Sequence, residues 1–133
     1  MLKLEIVTPE RRVVDTEADS VTVPTASGEA GILTSHAPLI SALKPGVLSY
    51  AASGRTERLA VAGGFIEVSE DRVAVLTDAA ESAEEIDIDA ARSERDDAEK
   101  QLAANAAASS EENDVIRERL ESAEARLKVA ASL

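Results

Sequence analysis

Apolar and polar residues alternate at several places in the first two thirds of the chain, the spacing of a half-buried strand. Leu2, Leu4 and Ile6 alternate with Lys3 and Glu5, Val21 and Val23 with Ser20 and Thr22, and Val73 and Val75 flank Ala74 before Leu76. Ser53-Gly54 and Glu70-Asp71 lie between apolar runs, where hairpin turns are expected, and Gly63-Gly64 suits a bulge or a close backbone approach. Several such strands within about 80 residues predict a β-sandwich or barrel. Towards the C-terminus the period changes. Ile88, Ala91, Arg95, Ala98 and Leu102 recur at spacings of three and four, as do Ile116, Leu120, Ala123, Leu127 and Ala130, so two helices are expected, each with one narrow apolar seam. Asp87 is placed to cap the first, and Ser109 with Glu112 has capping-box form for the second. Asn105 to Ser110 then makes the short turn of an antiparallel hairpin.

Composition sharpens the division. All 6 glycines and all 4 prolines fall within the first 64 residues, and the last 50 contain neither. A β + α chain is expected, with a sandwich over residues 1–84 and a helical hairpin over 85–133. Residues 1–83 carry 7 bases and 12 acids, and residues 84–133 carry 7 bases and 14 acids, which together make the net charge of −12. Both halves are acidic. The hairpin seams are rich in alanine and bury little area per residue, so the hairpin is expected to need a partner surface.

The charge argues against nucleic acid, which requires a basic stripe, and against an anionic membrane surface. With Phe65 and Tyr50 as the only aromatics, stacking sites for bases or sugars are not expected. The absence of cysteine removes disulfides, thiolate metal sites and thiol nucleophiles, and fits a reducing compartment. No apolar run reaches the length of a membrane span and no basic leader precedes an apolar stretch, so a soluble protein without membrane insertion is expected. G-x-x-x-x-G-K-[ST], G-x-G-x-x-G and G-x-S-x-G are all missing. His36, the single histidine, would have to bind zinc with carboxylates alone, a poor ligand set, and has no adjacent acid or nucleophile for base catalysis. No catalytic or metal site is therefore expected. Asp87 and Asp89, near a helix start, read as capping and dipole-complementing groups rather than a catalytic pair. Ser27-Gly28-Glu29-Ala30-Gly31 reads as a tight exposed loop, either a plain hairpin turn or one that presents Glu29 to a partner.

The run Ser27-Gly28-Glu29-Ala30-Gly31-Ile32-Leu33, followed by His36-Ala37-Pro38-Leu39, resembles the signature of the epsilon subunits of bacterial F-type ATP synthases. Thr8-Pro9, Lys44-Pro45-Gly46-Val47 and Gly63-Gly64-Phe65-Ile66-Glu67-Val68 agree with it in order and spacing, and the acidic, alanine-rich helical pair fits the second domain of that family. The resemblance implies a flattened antiparallel β-sandwich followed by a two-helix hairpin. It also implies a non-catalytic rotor subunit that joins the gamma subunit to the c-ring and transmits rotation between proton translocation and ATP synthesis. Such a subunit is peripheral, at the cytoplasmic face of the inner membrane. By this resemblance Glu29, Ala30 and Gly31 face the c-ring, and His36 and Pro38 lie toward gamma.

The resemblance further implies a hairpin that moves from the sandwich to an extended position beside the catalytic alpha and beta subunits and inhibits ATP hydrolysis. A thin alanine seam suits such a switch. The −7 charge of the second half does not suit the basic contacts that inhibition uses, although Arg117, Arg119, Arg126 and Lys128 remain. Some members bind ATP through an Ile/Leu-Asp-x-x-Arg-Ala motif. Without gaps this chain offers Ile86, Asp87 and Ala91 but has Ala90 where the arginine belongs, and a two-residue slip would use Ile88, Asp89 and Arg92. Arg126 matches a second-helix arginine of those members. Without the first-helix guanidinium, weak or no ATP binding is expected and no cofactor is required. The rival readings are a free-standing nucleotide-sensing module and a β-sandwich adaptor whose hairpin docks another helix.

Overall fold

Four residues with left-handed backbones make the two tight turns that organise the sheet: Ser53 and Gly54 (φ 52° and 78°), and Glu70 and Asp71 (φ 51° and 59°). Paired positive φ values give a twist that matches the right-handed twist of the flanking strands. In the computed structural model, which describes residues 1–132, the strands are β1 (Leu2–Val7), β2 (Arg12–Ala18), β3 (Ser20–Thr25), β4 (Gly28–Leu33), β5 (Leu39–Ala52), β6 (Arg55–Ser69), β7 (Arg72–Thr77) and β8 (Ala80–Glu81). A single 3-10 turn over Ala83–Glu85 leads to α1 (Ile88–Ala104) and α2 (Ser110–Ala130).

The strand path runs β2-β1-β7-β6-β5-β3-β4, with β8 beside β6. Every pairing is antiparallel except that of β1 with β7, which is parallel from Lys3 beside Arg72 to Val7 beside Leu76. One apolar cluster joins residues from both ends of this path, including Leu2, Leu4 and Ile6 of β1, Val21 and Val23 of β3, Ile32 of β4 and Val73 and Val75 of β7. The sheet is therefore folded over on itself as a sandwich, with the alternating residues of the sequence on its inner faces.

The long hairpin of β5 and β6 spans both layers. Along β6 the buried positions pass from Leu59 and Val61 to Ile66 and Val68, a change of phase by one residue across Gly63-Gly64. At Gly64 (φ 125°) a Cβ would stand 1.9 Å from the carbonyl oxygen of Leu76. The strand can turn its other side to the core and still pair with β7 only because no side chain is there.

Asp87 caps α1, its carboxylate accepting from the Ala90 N–H at 3.0 Å, and Ser109 caps α2, its hydroxyl accepting from the Glu112 N–H at 3.3 Å. Three expectations need correction. Ser27 to Gly31 is not one loop: only Ala26 and Ser27 turn, and Gly28–Leu33 is the end strand β4, because Ile32 enters the core and the backbone pairs with β3. On α1 only Ala91 and Ala98 of the expected seam are buried, while Ile88 is 41% exposed. On α2 a second face, Ala125 and Val129, is buried as well. The cause is the same in both helices: α1 packs chiefly on α2, whereas α2 lies between α1 and the β5–β6 hairpin and needs two apolar faces.

Candidate interaction surfaces

On the outer face of the sheet, the register places Ala42, Phe65, Leu76 and Val7 in one row across β5, β6, β7 and β1. Ile40, Glu67, Ala74 and Glu5 form the next row. Phe65 is 60% exposed, Leu76 58% and Ile40 78%, although their chain neighbours Ile66 and Val75 are fully buried. Alternation in a strand dictates this result: with one neighbour in the core, each of these large side chains must point outward. Beside the first row, Val7, Thr8, Pro9, Gly64, Thr77 and Asp78 line a mainly apolar groove. A contiguous strip of this kind, rimmed by Glu5, Glu67 and Asp78, is the mark of a docking surface.

The His36–Pro38 segment borders the strip. Pro38 lines a shallow depression with Ile40 and Glu67. The preceding turn is held by the carboxylate of Asp71, which accepts from the Ser35 N–H at 2.7 Å and so ties it to the β6–β7 turn. The His36 N–H donates to the Leu33 carbonyl, and its ring Nδ1 lies 2.6 Å from the Ala37 carbonyl oxygen. Glu29, Ala30 and Gly31 lie on β4, a terminal strand of the path, paired with Pro24, Val23 and Thr22. Glu29 and Gly31 are exposed, while Ala30 packs against the core.

The helical candidates are not gathered in one place. Ile86 is buried with Ala60, Ala125, Val129 and Ala130 between hairpin and sheet, and Ala91 is fully buried. Asp87 is engaged as the α1 cap. Arg92 lines a small groove with Ile88, Arg95, Leu127 and Ala130, where the start of α1 meets the end of α2. Arg126 turns instead to the sheet, its Nε 2.9 Å from Glu81 Oε1 of β8. Among the described residues no three His, Cys, Asp or Glu side chains converge as metal ligands, and no helix is long and apolar enough to cross a membrane.

Sequence reasoning missed the Phe65–Leu76 strip. Part of its signal was present, since Leu76 falls on the polar phase of a strand whose Val73 and Val75 face inward; the exposure of Phe65 follows from the pairing of β6 with β5 and β7.

A sandwich with one exposed apolar strip, continued by an alanine-seamed helical hairpin, defines a two-part docking protein. Residues 1–83 match the family described as ATP synthase, Delta/Epsilon chain, beta-sandwich domain. The ATP synthase epsilon chain of Nitratidesulfovibrio vulgaris (strain DP4) is 51% identical over 102 residues, 77% of this chain and 76% of that protein. That of Carboxydothermus hydrogenoformans is 48% identical over 102 residues, with the same two shares. The chain belongs to the ATP synthase epsilon chain family. Its fold extends to a chain in the cryo-EM structure of the Euglena gracilis mitochondrial ATP synthase, OSCP/F1/c-ring in rotational state 1, at a TM-score of 0.79 and 24% identity, covering 98% of this chain and 81% of that one.

Proposed function

We propose that this chain is a rotor-stalk subunit without an active site of its own, joining the gamma subunit to the c-ring of a proton-translocating ATP synthase. It would lie peripherally at the cytoplasmic face of the bacterial inner membrane. The observation that carries the reading is the apolar strip of Phe65, Leu76 and Ile40, bordered by the His36–Pro38 segment. In this reading the strip and His36 and Pro38 meet gamma, while Glu29 and Gly31, exposed on the terminal strand β4, meet the c-ring. Two separate surfaces are what a coupling between two partners requires.

The hairpin adds regulation. It rests on the sheet through one helix and a small set of mostly alanine contacts, so its detachment involves little apolar area. ATP is at most a weak ligand, because Arg126 faces Glu81, Ile86 and Ala91 are buried, and Ala90 stands where a phosphate-binding arginine would be needed. Calorimetry should give a dissociation constant weaker than ~100 μM, about 5.5 kcal/mol of binding free energy. A tighter value would favour the nucleotide-sensing reading.

Co-purification tests the assignment of partners. A tagged chain should recover both gamma and the c-ring. Recovery of neither would overturn the reading, and recovery of gamma alone would remove the c-ring role of Glu29. Hydrolysis by the assembled complex with and without residues 86–133 tests regulation, and equal rates would discard it.

A further inference from the structure

The hairpin meets the sheet through few large apolar side chains. Ile86, Val129 and Val47 are the bulkiest members of the cluster, and Ala60, Ala83, Ala125 and Ala130 supply the rest. Burial of so many methyl groups gives weak and poorly directional attachment, since each contributes little area. Charge is placed across the same boundary. Arg126 of α2 faces Glu81 of β8 at 2.9 Å, and Lys44 of β5 faces Glu121 of α2 at 3.8 Å. Among the described residues the Arg126–Glu81 pair is the least exposed of all the ion pairs, at 22% and 30% of the two side chains. The Arg126 Nε atom is itself buried, and its N–H is not aligned with the carboxylate, so the contact is an ion pair without a hydrogen bond from that atom.

We propose that Glu81 and Arg126, assisted by Lys44 and Glu121, form an electrostatic latch that sets where α2 sits on the sheet and holds the hairpin against it. Two considerations support this. A sheltered pair is screened less and constrained more than an exposed one, so it differs from the surface pairs Arg12–Asp15 and Arg117–Asp114, which contribute next to nothing. Removing Glu81 alone would leave a covered guanidinium with no counter-charge, which favours the detached hairpin, where Arg126 is hydrated. Position along the chain adds leverage. Glu81 lies just before the 3-10 turn that carries the chain into α1, so the latch fastens the last turns of α2 at the root of the hairpin.

The latch concerns the isolated chain and stands whether or not the proposed rotor role is correct; only its meaning for hydrolysis rests on that role. Amide hydrogen exchange of the full chain tests it, with the β-sheet as internal control. Glu81→Gln should raise exchange across residues 121–130 by roughly fivefold while β1 and β7 stay within about twofold of the parent protein. The charge-swapped variant E81R/R126E should restore protection to within about twofold. Unchanged exchange in E81Q, an equal rise throughout the sheet, or failure of the swap to restore protection would each overturn the latch.

Discussion

Gly64 allows a quantitative test of the sandwich geometry. In Gly64→Ala the new Cβ meets the Leu76 carbonyl oxygen at 1.9 Å and the Thr77 Cα at 2.8 Å, both backbone atoms that no rotamer change can move. To reach an ordinary contact the β7 backbone must retreat by about 1.5 Å, which disrupts neighbouring ladder hydrogen bonds at about 1 kcal/mol each. The φ of 125° adds strain for any residue with a Cβ, at about 1–3 kcal/mol. Together these give ~3–5 kcal/mol, or a fall in Tm of about 10–20 °C for a chain of this size. Gly63→Ala, with φ 104° but a Cβ 3.5 Å from the Leu43 carbonyl, should lose only the backbone share, and Gly31→Ala, which meets nothing within 4 Å, should be near neutral. Urea and thermal unfolding followed by circular dichroism would rank the three. A cost for G64A below ~1.5 kcal/mol, or below that of G63A, would refute the close approach of β6 and β7.

Phe65→Glu should leave stability within ~1 kcal/mol of the parent, because the ring is 60% exposed, and should abolish recovery of gamma in co-purification. Asp87→Ala removes the acceptor for the Ala90 N–H and should lower the stability of α1 by about 1 kcal/mol, read as faster amide exchange at its first turn. The Glu85 carboxyl is held below the usual glutamate range by the Ser82 N–H and hydroxyl, and then by Arg11. Its folded pKa lies below the unfolded one, so its stabilising effect is present at neutral pH and disappears as pH falls through the acid range below ~4.3. Glu85→Gln should therefore flatten the acid limb of a stability profile and leave the neutral region shifted by a constant amount.

The sheet and the helices were legible because their signals are local. Leu2, Leu4 and Ile6 alternate, Asp87 and Ser109 stand at cap positions, and Ser53-Gly54 and Glu70-Asp71 make the turns expected of them. Four things depended on tertiary neighbours and were not legible. The second buried face of α2, Ala125 and Val129, exists because the sheet lies behind it. Burial of Ile86 follows from the same contact. The outward strip needed the phase change at Gly63-Gly64, which the pairing with β5 and β7 shows and a single strand does not. The sequence marks Asp71 as a turn residue. Its carboxylate also holds Ser35, 36 residues away, a contact that no local pattern encodes.

The one parallel pairing has a consequence for how the chain acquires its shape. β1 and β2 are joined by a short connection and can meet early, but the other edge of β1 waits for β7, with Lys3 beside Arg72 and Ile6 beside Val75. During synthesis Leu2, Leu4 and Ile6 therefore emerge well before β7 and are covered late, next to a row of unpaired backbone groups. The contacts between α1 and α2 are close in sequence, whereas the seat of α2 on β5 and β6 spans most of the chain. A nascent chain halted between β6 and β7 would therefore present Leu2, Leu4 and Ile6 on an open-edged strand to whatever chaperone or neighbour is nearest.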